Sequence, residues 1–437
     1  MCDCDENTTS GGFKLHQVEN ITITDSEDYN ETCAYNFTVA QEETCCKLTK
    51  YLEVEGRFVI CIVGLLFNSI AILLFFDNKL SSELFNRLLL CLMVTDNFYL
   101  LIGIAEAWIN DISKPSFDQL FLYLFVVYPI RGITMCCIIY LTVILALQRY
   151  KCVTRPLEHQ RRCTNTSTVS WIQVLKFAGP VFLFSILFKL PEFFEFVVEQ
   201  EEIDSYESNA TYDVLTVSNS AVKLISDGTY KKLIMSDMRK SSLYVLLYIN
   251  IASIIVTAVV PLASLAYLNV HIYKAMFKFI QRRSTRRQGE NDVKRHKQND
   301  VETRNQRTQT TILFVIVIMF ILCHLLRIVL NVEDIVIHNT TFNNLKNQCK
   351  YGHPYWVYMS IPISETLLKL NSSVNFFIYC AFNKSFRSVM YKHVSNILNK
   401  CGFRKCITNG SRTPRSGPFE MQLITEDNGQ THRITTS

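Results

Sequence analysis

Several ionisable side chains stand inside stretches that are otherwise apolar, where a charge is costly and is usually kept for a function. Asp96 lies in Cys-Leu-Met-Val-Thr-Asp-Asn-Phe-Tyr-Leu-Leu, Asn68 lies in an earlier apolar run, and Asn371, Ser372, Ser373 and Asn375 crowd a later one. A carboxylate facing amides and hydroxyls can hold a sodium ion or a proton and exchange partners as helices move. The plainer reading of the same residues is a static hydrogen-bond knot between helices. A second set, Glu106, Arg131, Arg327, Glu365 and Lys369, falls near one end of the apolar runs, with Glu365 and Lys369 four residues apart on one helical face. So many charges at similar depth point to a water-accessible cavity that receives a ligand; the alternative is charges that only neutralise one another.

The elements that must position these groups are membrane helices. The chain has 437 residues, 49% of them hydrophobic and 19% charged, with 14 Gly and 10 Pro, which excludes a disordered, collagen-like or linker-dominated chain. Its apolar residues sit in runs of the roughly 20 residues that a helix needs to cross a bilayer. Seven such runs stand at Phe58 to Phe76, Phe85 to Ala107, Leu120 to Leu147, Trp171 to Phe194, Leu243 to Ile272, Thr311 to Ile335 and Trp356 to Phe382. The expected fold is an all-α seven-transmembrane helix bundle with a short amphipathic eighth helix. No signal peptide precedes it, because residues 1–50 have no apolar core, so the first span serves as its own insertion signal.

Charge orients the bundle. Bases outnumber acids five to one between Arg149 and Thr168, eleven to four between His271 and Thr310, and nine to three from Asn383 to Ser437, which places these segments in the cytoplasm. Acids outnumber bases ten to three in residues 1–50 and ten to five between Glu192 and Ser241, and these segments fall outside. The expected organisation is an extracellular glycosylated segment at 1–50, a seven-span domain with its eighth helix at 51–398 and a cytoplasmic tail at 399–437, in a multi-pass plasma-membrane protein. The glycosylation sequons at Asn7, Asn20, Asn30, Asn36, Asn209 and Asn339 all lie in segments placed outside. Those at Asn165, Asn371 and Asn409 do not.

Of the sixteen cysteines, Cys2, Cys4, Cys33, Cys45, Cys46 and Cys349 face the oxidising side and could pair, with connectivity left open. Cys401 and Cys406 follow an amphipathic stretch in which Phe382, Phe386, Val389, Met390, Val394 and Ile397 share a face. A helix there would lie on the inner membrane surface. Its two following cysteines are palmitoylation candidates or unmodified cytosolic thiols.

Order and spacing together resemble the rhodopsin-like class of G-protein-coupled receptors from about residue 56 to 390. The matching pieces are Gly64-Leu-Leu-Phe-Asn68, the Asp96 segment, Gln148-Arg149-Tyr150 in place of Asp/Glu-Arg-Tyr, Trp171, Pro261, Phe320-Ile-Leu-Cys323, Asn375-Phe-Phe-Ile-Tyr379 in place of Asn-Pro-x-x-Tyr, and Phe386-Arg387. Within that class, Leu190-Pro-Glu-Phe-Phe-Glu195, Cys323-His-Leu-Leu-Arg-Ile-Val-Leu-Asn331 and Leu370-Asn-Ser-Ser-Val-Asn-Phe-Phe-Ile-Tyr-Cys380 resemble invertebrate FMRFamide-type neuropeptide receptors. The resemblance implies a neuropeptide ligand outside and a heterotrimeric G protein inside, with arrestin and receptor kinases as later partners and no cofactor. It implies a switch built from Asp96, Arg149, Tyr150, Asn371, Asn375 and Tyr379. Glu106, Arg131, His324, Arg327, Glu365 and Lys369 become the ligand-pocket candidates, and an amidated Arg-Phe terminus could set its guanidinium on Glu106 or Glu365.

The chain also departs from the class. No Cys lies between Cys91 and Cys136 or between Cys163 and Cys323, so both partners of the usual third-helix bridge are missing; Cys45 or Cys46 with Cys349 could tie the N-terminal segment to the last outer loop instead. Leu326 replaces a kinking Pro, His324 a Trp, Phe376 the Pro of the seventh-span motif, Asn269 an inward Tyr, and Ile138 the Ser that helps the class hold sodium near Asp96. Two other functions stand beside the receptor reading. Lys369 lies six residues before Asn375, the spacing of the retinal lysine in opsins, although Phe125-Val-Val-Tyr128 offers no counter-ion Glu. A transporter or channel would be expected to show two similar halves, which are not seen. No HExxH, G-x-S-x-G or P-loop pattern suggests an enzyme, and the basic run Arg282 to Arg287 beside a span reads as topogenic charge and a G-protein contact, not a nucleic-acid site.

Overall fold

The computed structural model describes residues 34–77, 84–111, 116–154, 171–202, 222–224, 229–286, 293–346, 349 and 351–400. Among them six helices are long and apolar enough to cross a membrane by length and composition. They are α1 (Val39–Phe75), α2 (Leu84–Asp111), α3 (Phe117–Thr154), α4 (Trp171–Lys189), α5 (Ser242–Lys278) and α6 (Val293–Val336). The expected seventh span is broken in two, α7 (Tyr355–Ser373) and α8 (Asn375–Phe382): α8 is too short to cross a membrane, and α7, as long as α4, carries Glu365, Lys369 and several polar side chains. The break falls at Val374, with φ −85° and ψ −7°, and it forms without the proline of the related motif: Phe376 takes that place and stacks on Phe67 at 5.0 Å.

The helices outrun the apolar runs that announce them. α1 begins at Val39, where Thr38 caps the first turn in a reciprocal arrangement with Gln41, nearly twenty residues before Phe58. The helices close into a bundle: α1 packs on α2, α2 on α3, α3 on α4 and α5, α6 on α7, and α7 back on α1 and α2. Gly64 permits one close approach among them. A Cβ there would collide with the Ser373 hydroxyl and touch Leu100 at 3.0 Å, so any larger residue would push α1 away from α7 and α2. The core is aliphatic, with Leu88, Leu89, Leu92 and Met93 of α2 against Leu141 and Leu145 of α3. Around the outside, large apolar side chains such as Leu73, Leu175, Leu187 and Leu322 are more than half exposed, the inverse of a soluble helix bundle and what a lipid-facing surface requires.

One end of the bundle carries a three-stranded antiparallel sheet, β1 (Phe196–Glu202), β2 (Val222–Leu224) and β3 (Thr229–Met235), in the order β1-β3-β2. Phe196 pairs with Met235 and Glu202 with Thr229. Phe196, Leu233 and Met235 pack on Leu120 and Leu124 at the start of α3, which anchors the sheet to the bundle. At the same end the N-terminal segment folds onto α7: Phe37 stacks on Tyr351 at 3.8 Å, and Cys45 is buried with Tyr351 and Tyr358. Cys45, Cys46 and Cys349 are all disulfide-bonded, and since three cysteines cannot pair among themselves, at least one partner lies outside the described residues. The cysteines of the spans, Cys61, Cys91, Cys136, Cys137 and Cys380, are outside any disulfide, as small packing residues should be.

α9 (Lys384–Lys400) follows α8 where an amphipathic helix was expected. The chain's second compact unit begins at Met390, so only the first turns of α9 belong with the spans. There Asn383 caps the helix, its Oδ1 accepting from the Phe386 amide at 3.1 Å, and Phe386 is buried against Phe75 and Tyr379. Asn36 and Asn339 are exposed, as glycosylation would require; Asn7, Asn20, Asn30, Asn209, Cys401 and Cys406 lie outside the described residues.

Candidate functional site

Below the sheet, five helices deliver seven charged groups to one place. Glu106 of α2 is at its centre, 1% exposed and contacted from three directions: Lys369 Nζ at 3.1 Å, Arg131 Nε at 3.3 Å and Arg57 Nη1 at 3.6 Å. Arg131 of α3 continues to Glu365 of α7 at 3.5 Å, and Arg327 of α6 meets the other oxygen of that carboxylate at 3.0 Å. Arg57 also faces Glu53 one turn earlier on α1, at 4.0 Å. Lys369 is fully buried, its ammonium lying 3.6 Å from the centre of the Tyr99 ring, a cation–π contact that adds to its pairing with Glu106. Buried ions need this kind of multiple pairing, because each is taken out of water at a cost of several kcal/mol.

Local sequence explains how the groups reach one another. Gly103 stands one turn below Glu106, and a Cβ there would press on Cys61 Sγ at 2.7 Å and on Lys369 Cε at 3.1 Å; its absence opens the path along which the lysine extends to Glu106. The sequence left Lys369 to pair with Glu365, four residues away, or with Glu106. The structure pairs it with Glu106 and gives Glu365 to the two arginines. Glu106 and Glu365 are thus already held by several cations, and an incoming guanidinium would have to displace Arg131 or Arg327. With three carboxylates against four bases, the network is one positive charge in excess, and its most open members are Arg327, 35% exposed, and Arg131, 25% exposed.

Glu53 and Arg57 were not among the residues picked out from the sequence. They stand at i and i+4 just before the first apolar run, where they read as flanking charges, and only the early start of α1 carries them into the bundle. Glu192 and Glu195, read from the sequence only as part of a motif at the end of the fourth run, are buried too and hold pairs of their own. Glu195, 1% exposed, accepts from Tyr244 at 2.9 Å and Tyr128 at 3.2 Å and lies 3.6 Å from Arg239, so it joins α3, α5 and the sheet. Burial raises its carboxyl pKa, against the pull of Arg239 and of the tyrosine hydrogen bonds. Glu192 pairs with Lys189 at 2.6 Å at the end of α4 and fills the space above Gly132 of α3.

The second polar group lies deeper, about 15 Å along α2 from Glu106 at 1.5 Å per residue. Asn375 Nδ2 donates to Asp96 Oδ2 at 2.6 Å, joining α2 to the first residue of α8, and Asn68 Nδ2 donates to the Ser372 carbonyl at 2.8 Å, joining α1 to the last turn of α7. Both bonds bracket the break at Val374. A small cavity beside Asp96 is lined by Asn371, Asn375, Thr142, Ile138 and Phe320 among others. Thr142 donates its proton to the Ile138 carbonyl, the Asn375 amide already points its donor at Asp96, and Ile138 puts an apolar side chain where the related receptors have a hydroxyl. One Asp96 oxygen is thus held by a neutral amide, while Asp96 Oδ1 has no hydrogen-bond partner among the described residues.

The remaining switch candidates sit apart from this carboxylate in kind. Arg149 is 1% exposed, with its guanidinium carbon 4.3 Å from the centre of the Phe85 ring, and Tyr150 meets His271 edge to face at 6.2 Å. Tyr379 is fully buried against Phe75 and Phe386. His324, 6% exposed, stacks on Phe320 at 4.1 Å, so it lies between the two polar groups: one turn further along α6 is Arg327 of the charged network, and Phe320 lines the Asp96 cavity.

No family model matches the chain. It is similar to the FMRFamide peptide receptor frpr-18 of Caenorhabditis elegans, 26% identical over 390 residues that cover 86% of this chain and 76% of that protein. The chain is thus similar to a receptor for FMRFamide peptides over most of its length. The FMRFamide receptor of Drosophila melanogaster is also 26% identical, over 263 residues that are 60% of this chain and 38% of that protein. The charged network forms a chamber at the sheet end of the bundle, and the polar group around Asp96 lies deeper on the same helices. Lys369, closed in by Glu106, Tyr99 and Gly103, is committed to an ion pair in that chamber.

Proposed function

We propose that the chain is a cell-surface G-protein-coupled receptor for an FMRFamide-like neuropeptide. The observation that carries this reading is the pair of polar centres on shared helices. A charged network at the sheet end of the bundle has Arg327 and Arg131 as its most exposed members, and a relay of one carboxylate and several amides spans the break between α7 and α8, in a chain similar to FMRFamide receptors over most of its length. In this reading the N-terminus and sheet are extracellular and the C-terminus is cytoplasmic, as the excess of bases in the segments after α3, α5 and α8 supports. Segments 1–50 and 399–437 are then the glycosylated leader and the tail that arrestin and receptor kinases meet, and α9 rests on the inner leaflet with Cys401 and Cys406 available for palmitoylation.

The peptide enters between the sheet and the disulfide-tied N-terminal segment, and its end reaches the open members of the network, Arg327, Arg131 and the Glu365 they share. Acidic outer segments steer a basic peptide toward this mouth. Ligand contact at Arg327 biases α6, His324 and Phe320 pass the shift to the Asp96 cavity, and Asp96, Asn371 and Asn375 change partners as Arg149, Tyr150 and Tyr379 open the G-protein cleft. The test is a panel of amidated neuropeptides applied to cells expressing the chain, with calcium and cyclic AMP as readouts. A saturable response to peptides ending in Arg-Phe-amide supports the reading. Surface-expressed protein that answers no peptide overturns it.

A further inference from the structure

Away from both polar centres, Glu333 and Asp334 near the end of α6 face His353 in the segment that leads into α7. One ligating atom from each of the three lies within 4.8 Å of the others. His353 Nδ1 is 3.7 Å from Glu333 Oε2 and 3.7 Å from Asp334 Oδ1. Those distances are too long for N–H···O hydrogen bonds, which close at about 2.7–3.2 Å. They fall within a few tenths of an ångström of the roughly 3.4 Å that separates two ligands of a tetrahedral ion with bonds of about 2.0–2.2 Å. Glu333 is nine-tenths buried, and neither of its oxygens, nor His353 Nδ1, has a hydrogen-bond partner among the described residues. A buried carboxylate that faces a second carboxylate and an imidazole nitrogen forms a concentration of ligand atoms that a bound cation would neutralise.

We propose that Glu333, Asp334 and His353 form a divalent-cation site that takes zinc, with water completing the shell. One imidazole nitrogen and two carboxylate oxygens match zinc's ligand preferences, whereas calcium takes six to eight oxygens and magnesium a near-octahedral shell of them. Two carboxylates balance the charge of the ion. The imidazole must be neutral to bind, and burial holds the His353 pKa below its usual value, against the pull of Asp334. The surroundings are built for a fixed ring: Tyr358 packs edge to face on His353 at 6.2 Å and its hydroxyl accepts from the Gly352 amide at 3.3 Å. A bound ion would tie the end of α6 to the start of α7, six residues along α6 from Arg327.

The inference is independent of the peptide and is tested on the purified full-length chain stripped with EDTA. Zinc is titrated against a fluorescent zinc chelator, and X-ray absorption is recorded on the zinc-loaded protein. The expected results are one saturable site that millimolar magnesium or calcium does not displace, a first shell of one nitrogen with oxygens and no sulfur, and binding weakened at least about tenfold by His353→Gln and by Glu333→Gln, since even second-shell losses reach that size. Asp334→Asn, on the more open side of the cluster, serves if a buried variant does not fold. Absence of binding, sulfur in the shell, or unchanged affinity in the folded variants would overturn the assignment.

Discussion

The charged chamber and the Asp96 relay use the same helices, α2 and the α7–α8 pair, yet they are built on opposite principles. In the chamber, three carboxylates and four bases hold one another in fixed geometry, and each central ion has two or three partners. In the relay, one carboxylate is held by a neutral amide, with hydroxyls, amides and a small cavity beside it. A mutually paired cluster is expensive to disturb, because removing one ion strands the others in a dry interior. A lone carboxylate among neutral donors loses little when it trades one for another. The difference suits the first to fixing the mouth of the bundle and the second to switching inside it.

The largest effect should come from the centre of the chamber. Glu106→Gln leaves Arg57, Arg131 and Lys369 facing one another, and should cost about 3–5 kcal/mol, read as lost surface expression and a lowered melting temperature. If Glu106→Gln is as stable as the parent, the chamber is wetter and looser than the distances imply. Next comes Gly103→Leu, which drives a side chain into Cys61 and the Lys369 stem; about 1–3 kcal/mol is expected from overpacking alone. An intermediate effect, with Glu106 keeping both arginines, follows for Lys369→Met, about 1–3 kcal/mol, measured by thermal unfolding of the purified chain.

How far these groups could be read beforehand follows from what an apolar run reports. Glu106, Arg131, Arg327, Glu365 and Lys369 were legible because each interrupts a run of lipid-soluble residues. Glu53 and Arg57 were not, because hydropathy marks where the bilayer lies and says nothing of a helix that starts at Val39, outside it. The partners of Lys369 were open for a related reason: spacing gave Glu365 on the same helix, and only the approach of α2 at Gly103 selects Glu106. Glu333, Asp334 and His353 left no local signature, since about twenty residues separate the carboxylates from the imidazole and a short helix, His338–Lys346, intervenes. The sheet was equally hidden, lying within a polar acidic segment whose strands bury Phe196, Leu233 and Met235.

The smallest effects on stability belong to the edges of the comparison and sharpen it. Arg327→Gln leaves Glu365 with Arg131 and removes a partly exposed partner, so a loss of no more than about 1 kcal/mol is expected, while peptide potency should fall. Asp96→Asn keeps an acceptor for Asn375 and removes a buried charge, so stability should stay within about 1 kcal/mol of the parent or rise.

That last substitution isolates the switch from the fold. The decisive measurement is peptide binding and G-protein signalling side by side, in cells expressing equal surface amounts of the parent and of Asp96→Asn, with an amidated peptide that activates the parent. The account predicts a dissociation constant within a few-fold of the parent and a signalling maximum that is largely lost. Full signalling by Asp96→Asn, or loss of peptide binding together with signalling, would contradict it.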